Sequence, residues 1–189
     1  MITVENQLFS LHTRHTSYLF RVMETGHLEH LYYGRKIHPA IDGLMEQHAF
    51  APGNTNIYDS EHLQFSLEDA CLEMSSFGKG DIREPFVELT LSDGSETSDF
   101  LFEKFEQGTG KEEFETLPGS YDESGEVEWL GVTLRDENSG VILELHYYVY
   151  EDCDAITRSA KLINESGDVV KLNRLMSLQL DLEPSDYVF

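Results

Sequence analysis

The sequence is short of positive charge and of long apolar runs. Lysine and arginine number 13 against 36 aspartates and glutamates, which gives a formal net charge of −23. Such a surface repels nucleic acids and anionic lipids, so we expect neither a nucleic acid nor a membrane as a partner. No apolar run approaches the ~18 residues of a membrane helix, and no signal-like segment opens the chain. These absences indicate a soluble cytoplasmic protein.

Cysteine is also scarce. Cys71 and Cys153 are the two cysteines of the chain, and two are too few for a disulfide scaffold. We predict that both are buried thiols in a reducing compartment. Hydrophobic residues make up 40% of the 189 positions, enough to enclose one core, and no internal boundary interrupts the pattern. We therefore expect a single domain over residues 1–189.

Alternation of apolar and polar residues dominates the sequence and predicts an all-β sandwich or barrel. Asp93-Gly94, between two alternating runs, predicts a hairpin that joins them. The only candidate helix is short, at Ser66–Met74, and the polar stretch Gly43–Ser66 is predicted to be a long loop. The predicted strands are Leu8–His12, Ser17–Val22, Leu28–Tyr33, Phe86–Leu91, Thr97–Gln107, Glu128–Asp136, Val141–Tyr150, Ala155–Asn164 and Leu172–Leu182.

Histidines could suggest a metal site, because His12 and His15, and also His27 and His30, are three residues apart. On a strand, residues three apart face opposite sides, so neither pair converges. We interpret them as surface or turn histidines and expect no metal and no cofactor. Asp152 and Asp154 lack the further ligands of a calcium loop, so we interpret this pair as the solvated end of a strand.

The segment Gly78–Pro85 has the composition of a shaped turn. Two glycines free the backbone, Pro85 restricts it, and Asp81 and Arg83 carry opposite charges two positions apart. One interpretation is a structural arginine that staples a loop to the sheet. The other is that Asp81 and Arg83 brace or line a sugar-sized cleft, since planar arginine orients acidic and hydroxyl groups.

The order of several short segments resembles the N-terminal domain of the bacterial α-galactosidases of glycoside hydrolase family 36. Each segment alone is weakly specific, but the set covers essentially the whole chain. The segments are Gly26–Gly34, His48–Phe50, Phe65–Glu68, Gly80–Pro85, Leu117–Pro118, Tyr148–Asp152, Ile156–Ser159 and Asp181.

The resemblance implies a β-supersandwich of two large, mostly antiparallel sheets, of the galactose mutarotase type, in front of a (β/α)8 barrel. In this family the barrel carries both catalytic aspartates of a retaining mechanism. A barrel needs about 250 residues by itself, so the chain holds none of it, and we expect no catalytic residue and no activity in the 189-residue chain alone. The expected partners are its own barrel, further copies of the chain and an α-galactoside.

The resemblance also points to the long loop. In tetrameric members an aspartate of this loop helps to hold galactose, and the matching position here is Gln47, beside His48 and Phe50. Glutamine still donates and accepts hydrogen bonds but carries no charge. An ordinary loop residue is the other interpretation of Gln47. The candidate substrate-binding residues are therefore Gln47, His48, Phe50, Asp81 and Arg83.

Two alternatives remain open from the sequence. A free-standing carbohydrate-binding module would need an exposed aromatic platform, whereas the single tryptophan, Trp129, lies in a strand pattern that predicts partial burial. An aldose-epimerase-like enzyme would need a histidine and a glutamate as acid and base. Calorimetry with galactose would test the first, and polarimetry of galactose mutarotation the second.

Overall fold

The computed structural model describes residues 1–38, 43–44, 57–63, 65–112, 114, 119–123 and 125–180. Strands dominate these residues, and a one-turn 3₁₀ helix lies at Leu67–Asp69. The strands are β1 Ile2–Glu5, β2 Leu8–His12, β3 Thr16–Val22, β4 Leu28–Arg35, β5 Val87–Thr90, β6 Leu101–Thr109, β7 Glu128–Asp136, β8 Val141–Tyr150, β9 Ala155–Asn164 and β10 Lys171–Leu175. Among the described residues no helix is long and apolar enough to cross a membrane.

Within the described residues, two four-stranded sheets and one two-stranded sheet form, and the named strands pair antiparallel throughout. The first large sheet has the order β1-β2-β3-β4 and the second the order β6-β7-β8-β9, so each is a meander of sequential strands. Strands β5 and β10 form the small sheet. The all-β class with two large antiparallel sheets is confirmed.

The core lies between the two large sheets. Phe9 and Phe20 of the first sheet stack with ring centroids 4.7 Å apart, and Phe20 lies 5.1 Å from Tyr147 of the second sheet. Leu130 and Leu145 of the second sheet are fully buried in the same cluster. Burying the aromatic face of each sheet against the other is the main favourable term for this architecture.

The predicted hairpin at Asp93-Gly94 is wrong, although the turn itself forms. The Leu91 amide donates to the Ser95 carbonyl at 2.8 Å, and Gly94 has a φ of +85°. Strand β5, however, pairs with β10, and β6 pairs with β7. Turn residues fix where a chain reverses, but they do not fix which sheet edge the next strand joins.

Two further expectations need correction, and one strand was missed. The Ser66–Met74 helix is limited to Leu67–Asp69, because the backbone turns extended at the C-cap, where Ala70 has φ −97° and ψ 142°. The predicted strand Leu172–Leu182 ends early: β10 stops at Leu175, residues 176–180 form no strand, and residues 181–182 lie outside the described residues. Strand β1 was not predicted.

Candidate functional site

The long loop holds three of the five candidate residues. Gln47, His48 and Phe50 lie outside the described residues. Besides residues 43–44, the described part of the loop is its C-terminal arm, residues 57–63 and 65–66, and the shaped turn Gly78–Pro85 lies against this arm. These two segments together are called the loop brace below.

The first contact of the loop brace centres on the Asp99 carboxylate. The Tyr58 hydroxyl donates to Asp99 Oδ2 at 2.8 Å, and His27 Nε2 lies 3.1 Å from Asp99 Oδ1. Lys79 Nζ lies 3.3 Å from Asp99 Oδ2 and 4.8 Å from the centre of the Tyr58 ring. Burial alone would raise the pKa of Asp99, but His27, Tyr58 and Lys79 outweigh it and lower that pKa. An ionised carboxylate thus ties the loop arm to the sandwich.

The backbone of the turn explains its glycines. Gly78, Lys79 and Gly80 have φ values of +91°, +60° and +88°, three consecutive left-handed residues. A Cβ at Gly78 would lie 2.7 Å from Thr97 Cγ2, so only glycine fits there. This conformation directs Lys79 towards Asp99.

The second contact of the loop brace is the predicted ion pair. Arg83 donates from Nε to Asp81 Oδ1 at 2.9 Å and from Nη2 to Asp81 Oδ2 at 3.0 Å. It also donates from Nη1 to the Ala70 carbonyl at 2.7 Å and from Nη2 to the Leu67 carbonyl at 2.9 Å. The Asp81 side chain is only 1% exposed. These contacts are those of a structural staple, which fixes the 3₁₀ turn directly after the loop.

A buried polar network, which the sequence did not reveal, lies between the sheets around Glu73. Its Oε1 accepts from the Tyr18 hydroxyl at 2.6 Å, the Tyr147 hydroxyl at 2.7 Å and Arg158 Nη1 at 2.8 Å. His30 Nδ1 lies 3.2 Å from Oε2, and Arg158 Nη2 donates to the Glu73 carbonyl at 2.9 Å. The Glu73 side chain is 0% exposed and that of Arg158 5%.

The charges of this network stabilise each other. Burial alone would raise the pKa of Glu73, but Arg158, His30 and Tyr18 outweigh it, and the pKa lies below its ordinary value. Burial raises the pKa of Tyr18 and of Tyr147 well above the ordinary value, and the nearby carboxylate adds to this in both cases. Glu73 is therefore an ionised acceptor surrounded by donors, not a carboxylic acid available for proton transfer.

An apolar cavity of about 270 Å³ lies over this network. Tyr33, 47% exposed, and Leu178, 50% exposed, line it, and the neighbouring Met176 is also exposed. The set of Tyr33, Leu178 and the half-buried Leu180, with Met176 two residues before Leu178 in the chain, is called the apolar face below. A contiguous exposed apolar surface of this kind is typical of an interaction surface.

The histidine and cysteine expectations are partly wrong. His12, His27 and His30 are buried rather than at the surface, and each bonds a polar partner. Cys153 is exposed and Cys71 half-buried, so neither is the buried thiol predicted. Strand alternation does not say which side of a sheet is covered. No group of three or more metal-ligating side chains occurs within the described part of the chain.

Only part of this arrangement had a sequence signal. Glycine, aspartate and arginine at close spacing indicated the turn around Arg83. Glu73, by contrast, follows Cys71-Leu72 without any local pattern, and its partners come from residues 18, 30, 147 and 158. Trp129 is partly buried, as predicted.

Comparison with known proteins gives the family. Residues 26–189 match the glycosyl hydrolase family 36 N-terminal domain. The chain is 30% identical to the bifunctional α-galactosidase/sucrose kinase AgaSK of Mediterraneibacter gnavus over 96% of its own length, and 30% identical to the α-galactosidase AgaA of Geobacillus stearothermophilus over 97%. It spans only 19% and 25% of these relatives.

Solved structures agree in fold. The α-galactosidase of Lactobacillus brevis superposes with a TM-score of 0.89 at 34% identity, over 95% of this chain and 25% of the other. A variant of AgaA solved with raffinose superposes with a TM-score of 0.85 at 30% identity, over the same shares. The all-β sandwich, the order of the short sequence segments along the chain and these matches lead to one conclusion: the chain belongs to the glycoside hydrolase family 36 N-terminal domain family.

Proposed function

We propose that the chain is the non-catalytic N-terminal domain of an α-galactosidase that hydrolyses terminal α-galactosides of the melibiose and raffinose type. The observation that carries this is the match of nearly the whole chain to a quarter or less of proteins named α-galactosidases. A related enzyme, a variant of AgaA, has been solved in complex with raffinose. In this proposal the chemistry belongs to a barrel outside these 189 residues.

The apolar face supports a role in capping that barrel. Leu178 lines one cavity with Tyr33, and Met176, two residues earlier in the last described segment of the chain, is also exposed. Fully burying an exposed side chain of this kind contributes roughly 1.5 to 3 kcal/mol, and these half-exposed side chains would gain about half of that each. A catalytic domain that follows in the same chain is a partner able to cover them.

The loop brace supports a second role, at the sugar site. Its C-terminal arm belongs to the loop that carries Gln47, His48 and Phe50. Asp99 holds this arm on one side, and Arg83 holds it on the other. A loop held at its base loses less conformational entropy when it binds. In a homo-oligomer this loop would reach the sugar site of a barrel, and Asp81 and Arg83 would position it rather than touch the sugar.

The described residues also support inactivity of the chain alone. Glu73 and His30 form the histidine–glutamate pair that an epimerase-like mechanism would require. Both are buried, however, and the pKa of Glu73 is lowered by its donors. A general base needs access to its substrate and a pKa near the working pH. The pair is therefore placed for structure, not for catalysis.

The test compares the 189-residue chain with the full reading frame that contains it. We expect hydrolysis of p-nitrophenyl α-galactoside and of raffinose only by the longer protein, and no effect of the short chain on galactose mutarotation in a polarimeter. A reading frame without a barrel, or hydrolysis by the short chain, would overturn the proposal. Light scattering of the longer protein measures its oligomeric state.

The loop brace is tested in the same longer protein. Arg83→Lys keeps the charge but loses the planar fork that binds Asp81 and the two carbonyls. We expect KM for raffinose to rise about tenfold, equivalent to ~1.4 kcal/mol, with a smaller change in kcat. The matched control is Arg135→Lys, which alters a surface arginine paired with Glu103 and Glu165. An equal effect of both variants would refute the positioning role.

A further inference from the structure

The outer face of the second large sheet, β6-β7-β8-β9, has an ordered arrangement that the proposed function does not use. In register across the strands, Trp129 is paired with Gly108 on β6 and with Tyr148 on β8. Two residues along β7, Gly131 is paired with His146. Alternation along β8 sends Tyr147 into the core and leaves these side chains on the opposite side of the sheet. The face encloses an open cavity of about 520 Å³.

The glycine at position 108 lets the tryptophan lie flat on this face. A Cβ at Gly108 would be 2.8 Å from the indole Nε1 of Trp129, and a Cβ at Gly131 would be 3.4 Å from its Cζ3. The Nε1 edge of the indole therefore occupies the place where a side chain at position 108 would begin, whereas a Cβ at position 131 would only touch the ring in ordinary van der Waals contact. An indole ring this close to the backbone of β6 and β7 lies flat on the sheet and presents its other face to the cavity. The indole N–H has no hydrogen-bond partner among the described residues and can therefore donate to a ligand.

Polar side chains border the indole on one side. Lys104 and Glu106 pair at 3.3 Å on β6, and Glu144 lies 3.3 Å from both Lys161 and His146. With Lys111 and Glu112, the cavity has three lysines and three glutamates. Its formal charge is therefore zero, within a chain of net charge −23. Such a lining suits an uncharged ligand with many hydroxyl groups.

We propose that this face is a binding site for a neutral saccharide, with one pyranose ring on the Trp129 indole and its hydroxyls bonded by Glu106, Glu144, His146 and the indole N–H. The apolar side of a pyranose packs on an aromatic face. The paired charges of the lining supply hydrogen-bond donors and acceptors but favour neither an anionic nor a cationic ligand. The volume is within the range of small-molecule sites, about 300–1,000 Å³. A protein partner is disfavoured, because the cores of protein interfaces are depleted of charged residues.

This inference goes beyond the proposed function and is independent of it, because it needs neither the barrel nor the loop. It can therefore be tested on the 189-residue chain, in which Trp129 is the only tryptophan. Its fluorescence and its single indole N–H signal in a nitrogen-labelled sample report directly on this face. The probes are galactose and raffinose, with glycerol at equal concentration for general solvent effects and glucose 6-phosphate for an anionic sugar.

We expect raffinose to change the fluorescence and shift the indole signal with a Kd of about 1 mM, and glycerol to do neither. Gly108→Ala, whose methyl group would lie 2.8 Å from the indole Nε1 and displace the ring, should weaken binding at least about tenfold and leave the fold intact. Tyr121→Ala removes an aromatic side chain that is 87% exposed outside this cavity and should change nothing. Trp129→Ala, followed by calorimetry, should abolish the heat of binding.

Three outcomes would overturn the proposal. One is no change in either signal at about 50 mM raffinose, well above the expected Kd. Another is equal binding by the wild type and Gly108→Ala, since the ring would then not be the platform. The third is tighter binding of glucose 6-phosphate than of neutral sugars, which would assign the site to an anion.

Discussion

The buried Glu73–Arg158 pair leads to the strongest prediction about stability. Glu73→Gln keeps the shape of the side chain and an oxygen for the hydroxyls of Tyr18 and Tyr147, but it removes the negative charge. Arg158, with a side chain 5% exposed, would then be a buried cation without its counter-ion. Its guanidinium is largely shielded from water, because it packs 5.2 Å from the centres of the Phe86 and Tyr147 rings.

The expected magnitude is large. Removing one partner of a buried ion pair costs about 3 to 5 kcal/mol, because the remaining charge is desolvated without compensation. The total stability of a domain is about 5 to 15 kcal/mol. For a domain of this size the melting temperature should fall by roughly 6 to 20 °C, at about 2 to 4 °C for each kcal/mol.

Urea unfolding followed by circular dichroism is the assay. The matched control is Glu103→Gln, since Glu103 also pairs with an arginine, Arg135, at 3.1 Å but is 40% exposed. Exposed pairs of this kind contribute about 0 to 1 kcal/mol, so the control should lose little. The double variant Glu73→Gln/Arg158→Met removes both charges and should be less destabilised than the sum of its single variants.

The dependence on pH gives a second measurement of the same pair. The pKa of folded Glu73 lies below its ordinary value of 4.5. Its contribution to stability is therefore complete above pH 4.5 and is lost as the pH falls through the folded pKa. The difference between wild type and Glu73→Gln should shrink below that pH. A loss under about 1 kcal/mol at neutral pH, equal to the control, would refute the assignment of Glu73 as an ionised anchor.

Three further predictions concern single positions. The pKa of Asp154 should be about 2 by NMR titration, because His15 bonds its carboxylate, and His15→Ala should raise it towards 3.8. Gly78→Ala should destabilise the protein by about 1 to 3 kcal/mol in thermal unfolding, because φ is +91° and the new methyl group would meet Thr97. Exposed Cys153 should react with a thiol reagent in the folded protein, and Cys153→Ser should change stability by less than about 0.5 kcal/mol.

The sequence was a good guide wherever the information is local. The alternation of Glu128–Asp136, Val141–Tyr150 and Ala155–Asn164 predicted β7, β8 and β9 with their observed bounds. The Asp81–Arg83 pair forms as its spacing indicated, because residues two apart in a tight turn meet without help from the rest of the chain. The observed contacts of Arg83 match the structural staple interpretation.

The sequence failed where the partner is distant. Asp93-Gly94 marks a real turn, yet β5 pairs with β10, more than 80 residues away. Glu73 had no signal because its partners are 43 to 85 residues away. Local propensity contains no term for such contacts.

The amino-acid sequence by itself determined the all-β class, the strand periodicity and the family resemblance, because these depend on residues close together in the chain. Only the tertiary structure decided that Glu73 is buried among hydroxyls and a guanidinium, and that Trp129 lies flat against Gly108 on an open face. Both features depend on which strands become neighbours. That choice follows from burial of the whole core rather than from any local pattern.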